Sequence, residues 1–264
     1  MITQAKGITK AGPQAERPGG AARKIVFAGA KGGVGTTQIA ANLAAELGLK
    51  RNRVLFVDAG RGNAKVVLGI DPEFDLRHLA SGEKSIEEII CEGPGGIGVV
   101  PAYVDREQAG VLAPWQRERL LRGLAAAAAA YDFVLCDAGA WPPLAGAALD
   151  PAEVIVVTTP EPASVAGAYA TVKELARLNS LTRVQVVVNM AEDSAVAARA
   201  FQAIAHVARR FLGSAPAYLG WVPADVSVTL ACKRRVPFVI EYPDRPAAAA
   251  VEIMASKLAL AAQG

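Results

Sequence analysis

Residues 25–47 read IVFAGAKGGVGTTQIAANLAAEL, and this segment constrains the fold more than any other. It is an apolar strand, a glycine-rich turn and an amphipathic helix in immediate succession. Glycines let the backbone curl so that several N–H groups face one anion. The helix that follows adds the positive end of its dipole. Gly32, Gly33, Val34, Gly35, Thr36, Thr37 and Gln38 are therefore the candidate phosphate cradle. Thr37 stands where the phosphate-loop motif places the hydroxyl that ligates Mg²⁺. An ordinary Gly-rich turn between strand and helix is the plain alternative. The order of strand, glycines, hydroxyl and helix favours the cradle.

The rest of the chain repeats the strand–helix alternation. Apolar, β-branched runs predict strands at 24–28, 53–58, 97–101, 133–137, 154–158, 184–189 and 217–219. Helical periodicity predicts helices at 37–48, 115–130, 164–178, 194–212 and 247–262. Several strands are apolar at nearly every position, as parallel strands covered on both faces are. The expected fold class is α/β: one domain over 24–264, with a mostly parallel twisted sheet and helices on both faces. Residues 1–23 read as a flexible leader. Asp58, Asp137, Thr158 and Asn189 end their strands, where ligands bind in such sheets.

Composition limits the function classes. With 52% hydrophobic and 20% charged residues the chain can bury a large core. The net charge of +3 gives no general reason to expect nucleic-acid binding. Cys91, Cys136 and Cys232 lack metal or redox spacing, which fits a reducing, cytoplasmic setting. No apolar run approaches the ~20 residues that span a bilayer. His78 and His206 have no partner spacing.

The motif G-x-x-x-x-G-K-[ST] asks for lysine where Thr36 stands, and a lysine occurs earlier, at Lys31. KGGVG resembles the deviant Walker A loop of the MinD/ParA ATPases, which are single-domain P-loop NTPases. FVDAGRGNAKVVLGI, GPGGIGVVPA, VTTPEPASVAGAYATVKEL, VVVNMAED and LGWVPADVSV are similar, in order, to segments of the FlhG/FleN flagellar-number regulators within it. The resemblance implies ATP and Mg²⁺ as cofactors and an ATP-dependent homodimer. Lys31 would then reach the partner's nucleotide, and is otherwise a solvated loop charge. Asp137 would be the Walker B carboxylate linked to the metal, and is otherwise a helix cap. Asp58 would lie in switch I near the metal. Asn189 and the segment from Pro223 to Asp225 would frame the adenine, Asn189 having a turn-forming role as its alternative. Gln14-Ala15-Glu16-Arg17 is similar to the motif through which such regulators stimulate the GTPase FlhF, with Pro13 and Pro18 replacing its Asp and Leu.

The resemblance implies an ATPase, converting ATP and water to ADP and phosphate. Four departures bear on that chemistry. Thr36 removes the cation that holds the β- and γ-phosphates. Gly60 replaces the second switch I aspartate. Trp141, followed by two prolines, replaces a switch II glycine, and Gly167 replaces an aspartate. Retained binding with weakened hydrolysis is the expectation. A non-hydrolysing scaffold, a pilus-assembly localisation factor of the CpaE/TadZ type and a ParA-like DNA-segregation ATPase are the alternatives. The Ala-rich C-terminal helix has one lysine, Lys257, so weak or no membrane binding is expected. Lys233-Arg234-Arg235 and Arg209-Arg210 could form a basic patch, but solvated charge is the reading favoured over DNA binding. Recruitment to a cell pole or to the inner membrane surface would then come through flagellar or pilus assembly partners.

Overall fold

The computed structural model describes residues 21–60, 62–102, 112–140, 153–178 and 183–261. The strands are β1 (Arg23–Gly29), β2 (Val54–Asp58), β3 (Cys91–Gly93), β4 (Ile97–Val100), β5 (Phe133–Ala140), β6 (Glu153–Thr158), β7 (Arg183–Ala191) and β8 (Ala217–Pro223). They form one eight-stranded sheet in the order β3-β4-β2-β5-β1-β6-β7-β8. Every pairing is parallel except that of β3 with β4.

The helices are α1 (Thr36–Leu49), α2 (Ala64–Leu68), α3 (Leu76–Ser81), α4 (Ile86–Ile89), α5 (Pro114–Ala128), α6 (Pro162–Leu178), α7 (Ser194–Leu212), α8 (Val226–Arg234), α9 (Phe238–Glu241) and α10 (Pro246–Leu260). Strand side chains alternate between two cores, because successive residues of a strand point to opposite faces. Ile25, Phe27, Val54 and Phe56 pack with α1, α2 and α10. Val26, Ala28, Leu55 and Val57 pack with α3 to α7. This two-sided burial explains the continuous apolar runs and confirms the α/β class.

All five long helices lie within two residues of their expected bounds at each end. The short helices α2, α3, α4, α8 and α9 and the strand β3 are additions. β3 is three residues, Cys-Glu-Gly, with no β-forming composition. Its turn is the stronger signal: Gly93 accepts from Gly96 N–H at 3.1 Å across Pro94-Gly95, and Gly95 has φ +81°. That is the residue pattern of a type II turn. The turn lies against α1, where a Cβ on Gly95 would sit 2.6 Å from the carbonyl oxygen of Ala45. β8 runs four residues beyond its expected end, through Pro223.

α10 buries Val251, Met254 and Leu258 against the domain, as expected for a packed terminal helix. Among the described residues no helix is long and apolar enough to cross a membrane. His78 has a partner after all: it closes a capping box with Asp75 at the start of α3 and meets the Phe74 ring edge-on. The Gln14–Arg17 segment and Trp141 lie outside the described residues.

Candidate functional site

The parallel strands bring Gly29, Asp58, Asp137 and Asn189 to one edge of the sheet, above which the loop from Ala30 to Gly35 runs into α1. The loop is tied down at both ends. Ala30 N–H donates to Val157 O at 2.9 Å, and Asn189 Nδ2 donates to Val34 O at 2.9 Å. Gly35, the N-cap of α1, has φ +85°, and no side chain caps the helix. The first-turn amides of α1 are therefore left for another acceptor. A Cβ added at Gly32 or Gly33 would meet nothing within 4 Å, so the cradle is open from outside.

Three oxygen-bearing side chains converge beneath it. Asp58 and Asp137 are paired in register on β2 and β5, and both are buried. The hydroxyl of Thr37 hydrogen-bonds to the Asp137 carboxylate, which also accepts from Gly139 N–H at 3.0 Å. Asp58 accepts from Gly60 N–H at 3.0 Å and from Ala64 N–H at 3.2 Å, which fixes the start of α2. Burial, reinforced by the neighbouring Asp137 charge, raises the Asp58 carboxyl to about 6. Burial raises Asp137 as well, against the hydrogen bonds from Thr37 and Gly139. Two buried carboxylates and a hydroxyl, all hard oxygen donors, suit a magnesium ion shared with phosphate oxygens.

A raised carboxyl binds its proton more tightly in the folded state than in the unfolded one. Asp58 therefore contributes stability that is complete below about pH 4 and lost as pH rises through about 6, by about 3 kcal/mol in all. Asp58→Asn removes this titration. The difference in thermal midpoint between the variant and the parent is expected to move in the variant's favour between about pH 4 and pH 7. A difference that stays flat with pH would contradict this origin.

Lys31 sits half-exposed at the lip of the loop, its Nζ 2.6 Å from Glu161 Oε2. Thr36 is buried, and a Cβ at Gly29 would lie 2.5 Å from its Oγ1, so its hydroxyl is turned in against the end of β1. The cradle thus has no inward lysine of its own. Gln38 is half-buried on the first turn of α1, and its carbonyl accepts from Asn42 Nδ2 at 2.9 Å. At Gly60 the atoms nearest a Cβ would be Asp58 Oδ1 at 3.4 Å and the Asp137 backbone and carboxylate oxygens at 3.6 Å, so a β-carbon would fit there in ordinary contact. At Gly167 a Cβ would lie 2.5 Å from Ala30 O, so the glycine lets α6 close on the phosphate loop.

Asn189, Pro223 and Asp225 fall together at the ends of β7 and β8, where Ala224 N–H donates to Ala191 O at 3.0 Å. Asn189 is engaged at both ends of its amide, its Oδ1 accepting from Met190 N–H at 2.9 Å. Asp225 caps α8 through Ser227 N–H at 2.8 Å and accepts from Ala247 N–H at 3.3 Å. Burial works against its charge, but these donors and Arg245 hold its carboxyl below the usual range. Thr158 does not join the site: its hydroxyl is 2.9 Å from Ser164 Oγ, at the start of α6. Glu161 was not anticipated. Its signal was an acid directly after the polar end of a buried strand, in Thr-Thr-Pro-Glu-Pro.

A family model described as an AAA domain matches residues 22–188. The chain belongs to the MinD/ParA family. A curated MinD/ParA relative, the antiactivator FleN of Pseudomonas aeruginosa, is 32% identical over 238 residues, covering 89% of this chain and 85% of the relative. The fold is similar to that of the cell division ATPase MinD of Pyrococcus furiosus, with a TM-score of 0.75 and 24% identity over 90% of this chain and 99% of that one. It is also similar to the septum site-determining protein MinD of Pyrococcus horikoshii in complex with Mg-ADP, with a TM-score of 0.73 and 24% identity over 90% and 96% of the two chains.

Proposed function

We propose that this chain is an ATP-dependent dimerising switch of the FleN/FlhG kind, acting on the number or placement of a polar organelle, with slow ATP hydrolysis. The observation that carries this reading is the placement of Lys31. It stands at the lip of an otherwise complete cradle, engaged by an exposed glutamate instead of the loop's own phosphate site. A lysine so placed is available to the nucleotide of a facing copy. The α1 amides and the backbone of Gly32–Gly35 would take the phosphates, and Thr37 and Asp137 would hold Mg²⁺, with Asp58 beside it. Magnesium bound there would neutralise phosphate charge. Asn189, Pro223 and Asp225 would border the base, and Asn189 would fix the loop's height above it.

Slow hydrolysis is supported by what is missing around these groups. Gly60 carries no carboxylate to orient water, and Thr36 carries no charge to stabilise the transferring phosphoryl group. A FlhF-like GTPase or another flagellar or pilus assembly component is the partner class that fits a FleN-like switch. The DNA-segregation reading is weaker, because two cations of the 233–235 run are engaged within the domain. Arg234 pairs with Glu241, and Arg235 donates to Ile70 O at 3.0 Å.

Light scattering after size exclusion, with and without Mg-ATP, tests the switch. A dimer that forms only with Mg-ATP, weakened at least tenfold by Lys31→Ala, is the expected result. An oligomeric state indifferent to nucleotide would support the scaffold reading instead. Turnover as fast as that of an intact relative, and abolished by the same substitution, would remove the slow-hydrolysis part.

A further inference from the structure

A groove of about 590 Å³ runs between α6 and α7, on the sheet face away from α1 and α10. Its walls are Val165, Ala166 and Tyr169 on α6, and Val196, Ala203 and Val207 on α7. Both helices connect parallel strands, β6 to β7 and β7 to β8, so they lie side by side and leave a straight channel. The lining residues span about two turns of α6, Pro162 to Tyr169, and about three turns of α7, Val196 to Val207, a length that admits a short helix.

The one charged residue among those lining this channel is a cation. α7 contains no Asp or Glu, and Arg199 lines the groove itself. Helical spacing continues the two wall stripes into Lys173, four residues after Tyr169, and Arg210, three after Val207. Both are exposed. Among the described residues, Arg199, Lys173 and Arg210 make no ion pair. The one acid within α6, Glu174, lies 4.0 Å from Arg177. Of the acids near the upper mouth, Glu161 holds Lys31 and Asp193 caps α7 through Val196 N–H.

We infer that this groove is a docking site for an acidic amphipathic helix of a partner protein. Its apolar stripe would fill the channel between Val165 and Val207, and its carboxylates would meet Arg199, Lys173 and Arg210. The apolar walls select a side-chain stripe over a nucleic-acid backbone, which would leave them wet. Unpaired cations along both rims select acid over base in the partner. The site shares no residue with the phosphate cradle, so it stands apart from the nucleotide reading.

The test uses the full chain and a fluorescent amphipathic peptide of about 16 residues, leucine on one face and glutamate on the other. A second peptide carries lysine in place of each glutamate. The glutamate peptide is expected to raise anisotropy saturably and the lysine peptide to leave it unchanged. Lys173→Glu combined with Arg210→Glu is expected to weaken the glutamate peptide at least tenfold. Ala203→Arg, which fills the channel without removing a cation, is expected to do the same. Unchanged melting curves would show that these surface variants fold. Equal binding of both peptides, insensitivity to all three substitutions, or displacement of the peptide by duplex DNA would overturn the assignment.

Discussion

Gly35→Ala is expected to weaken nucleotide binding by roughly a hundredfold while leaving the sheet folded. Two effects act on the same atom. The residue sits at φ +85°, a conformation that costs an L side chain about 1–2 kcal/mol. Its Cβ would also lie 2.3 Å from Asn189 Nδ2, the donor that holds the loop through Val34 O. Either the loop lifts or Asn189 swings away, and the second choice loses a buried hydrogen bond worth about 1 kcal/mol. Together these terms come to about 3 kcal/mol, or roughly a hundredfold in affinity if the strain falls on the cradle. Calorimetric titration of Mg-ATP into parent and variant gives the comparison. Parent-like affinity in Gly35→Ala would mean that the loop has a second conformation able to hold phosphate.

The second large effect concerns stability at the opposite end of the sheet. Arg23, the first residue of β1, donates from Nε to Glu153 Oε2 at 3.0 Å, and its guanidinium also caps Leu258 O at the end of α10. The Glu153 side chain is only 4% exposed, and its Oε1 has no hydrogen-bond partner. Arg23→Met would strand this carboxylate in the interior. Breaking a buried pair on one side costs about 3–5 kcal/mol, which for a chain of this size lowers the melting midpoint by about 10 °C. Replacing both partners, Arg23→Met with Glu153→Leu, is expected to recover most of the loss, since no unpaired charge remains. A double variant no more stable than the single one would show that the cap on Leu258 carries the effect.

How far these features were legible from the sequence differs by kind. The sheet and long helices were readable because two-sided burial makes strands uniformly apolar and helices strictly periodic. The short helices and β3 were not, since α2, α4 and β3 are held by neighbours and carry too few residues for a period. Asp58 and Asp137 could be placed near each other as ends of parallel strands, but their pairing in register depends on β5 lying between β2 and β1, which no local pattern encodes. The buried pair of Arg23 with Glu153 was invisible for the same reason: its members lie 130 residues apart. Gly60 can be read as a lost carboxylate from sequence, and only the structure shows that the oxygens of Asp58 and Asp137 are the nearest atoms a β-carbon there would meet. The family resemblance implies that Asn189 borders the base, whereas its hydrogen bond to Val34 O in the phosphate loop joins residues 155 apart and is visible only in three dimensions.

The position of β1 has a consequence for how the molecule is made. β1 is the first strand among the described residues and lies in the interior of the sheet, between β5 and β6. Its hydrogen-bond partners begin at Phe133 and Glu153, so it emerges from the ribosome with neither neighbour yet synthesised. At ordinary rates of translation that interval is on the order of ten seconds, during which an apolar strand has no sheet to join. The phosphate loop, which hangs between β1 and α1, cannot take its final shape until more than half of the chain exists. Nascent chains of this fold therefore pass through a stage in which the segment that later grips the ligand is the one most in need of protection.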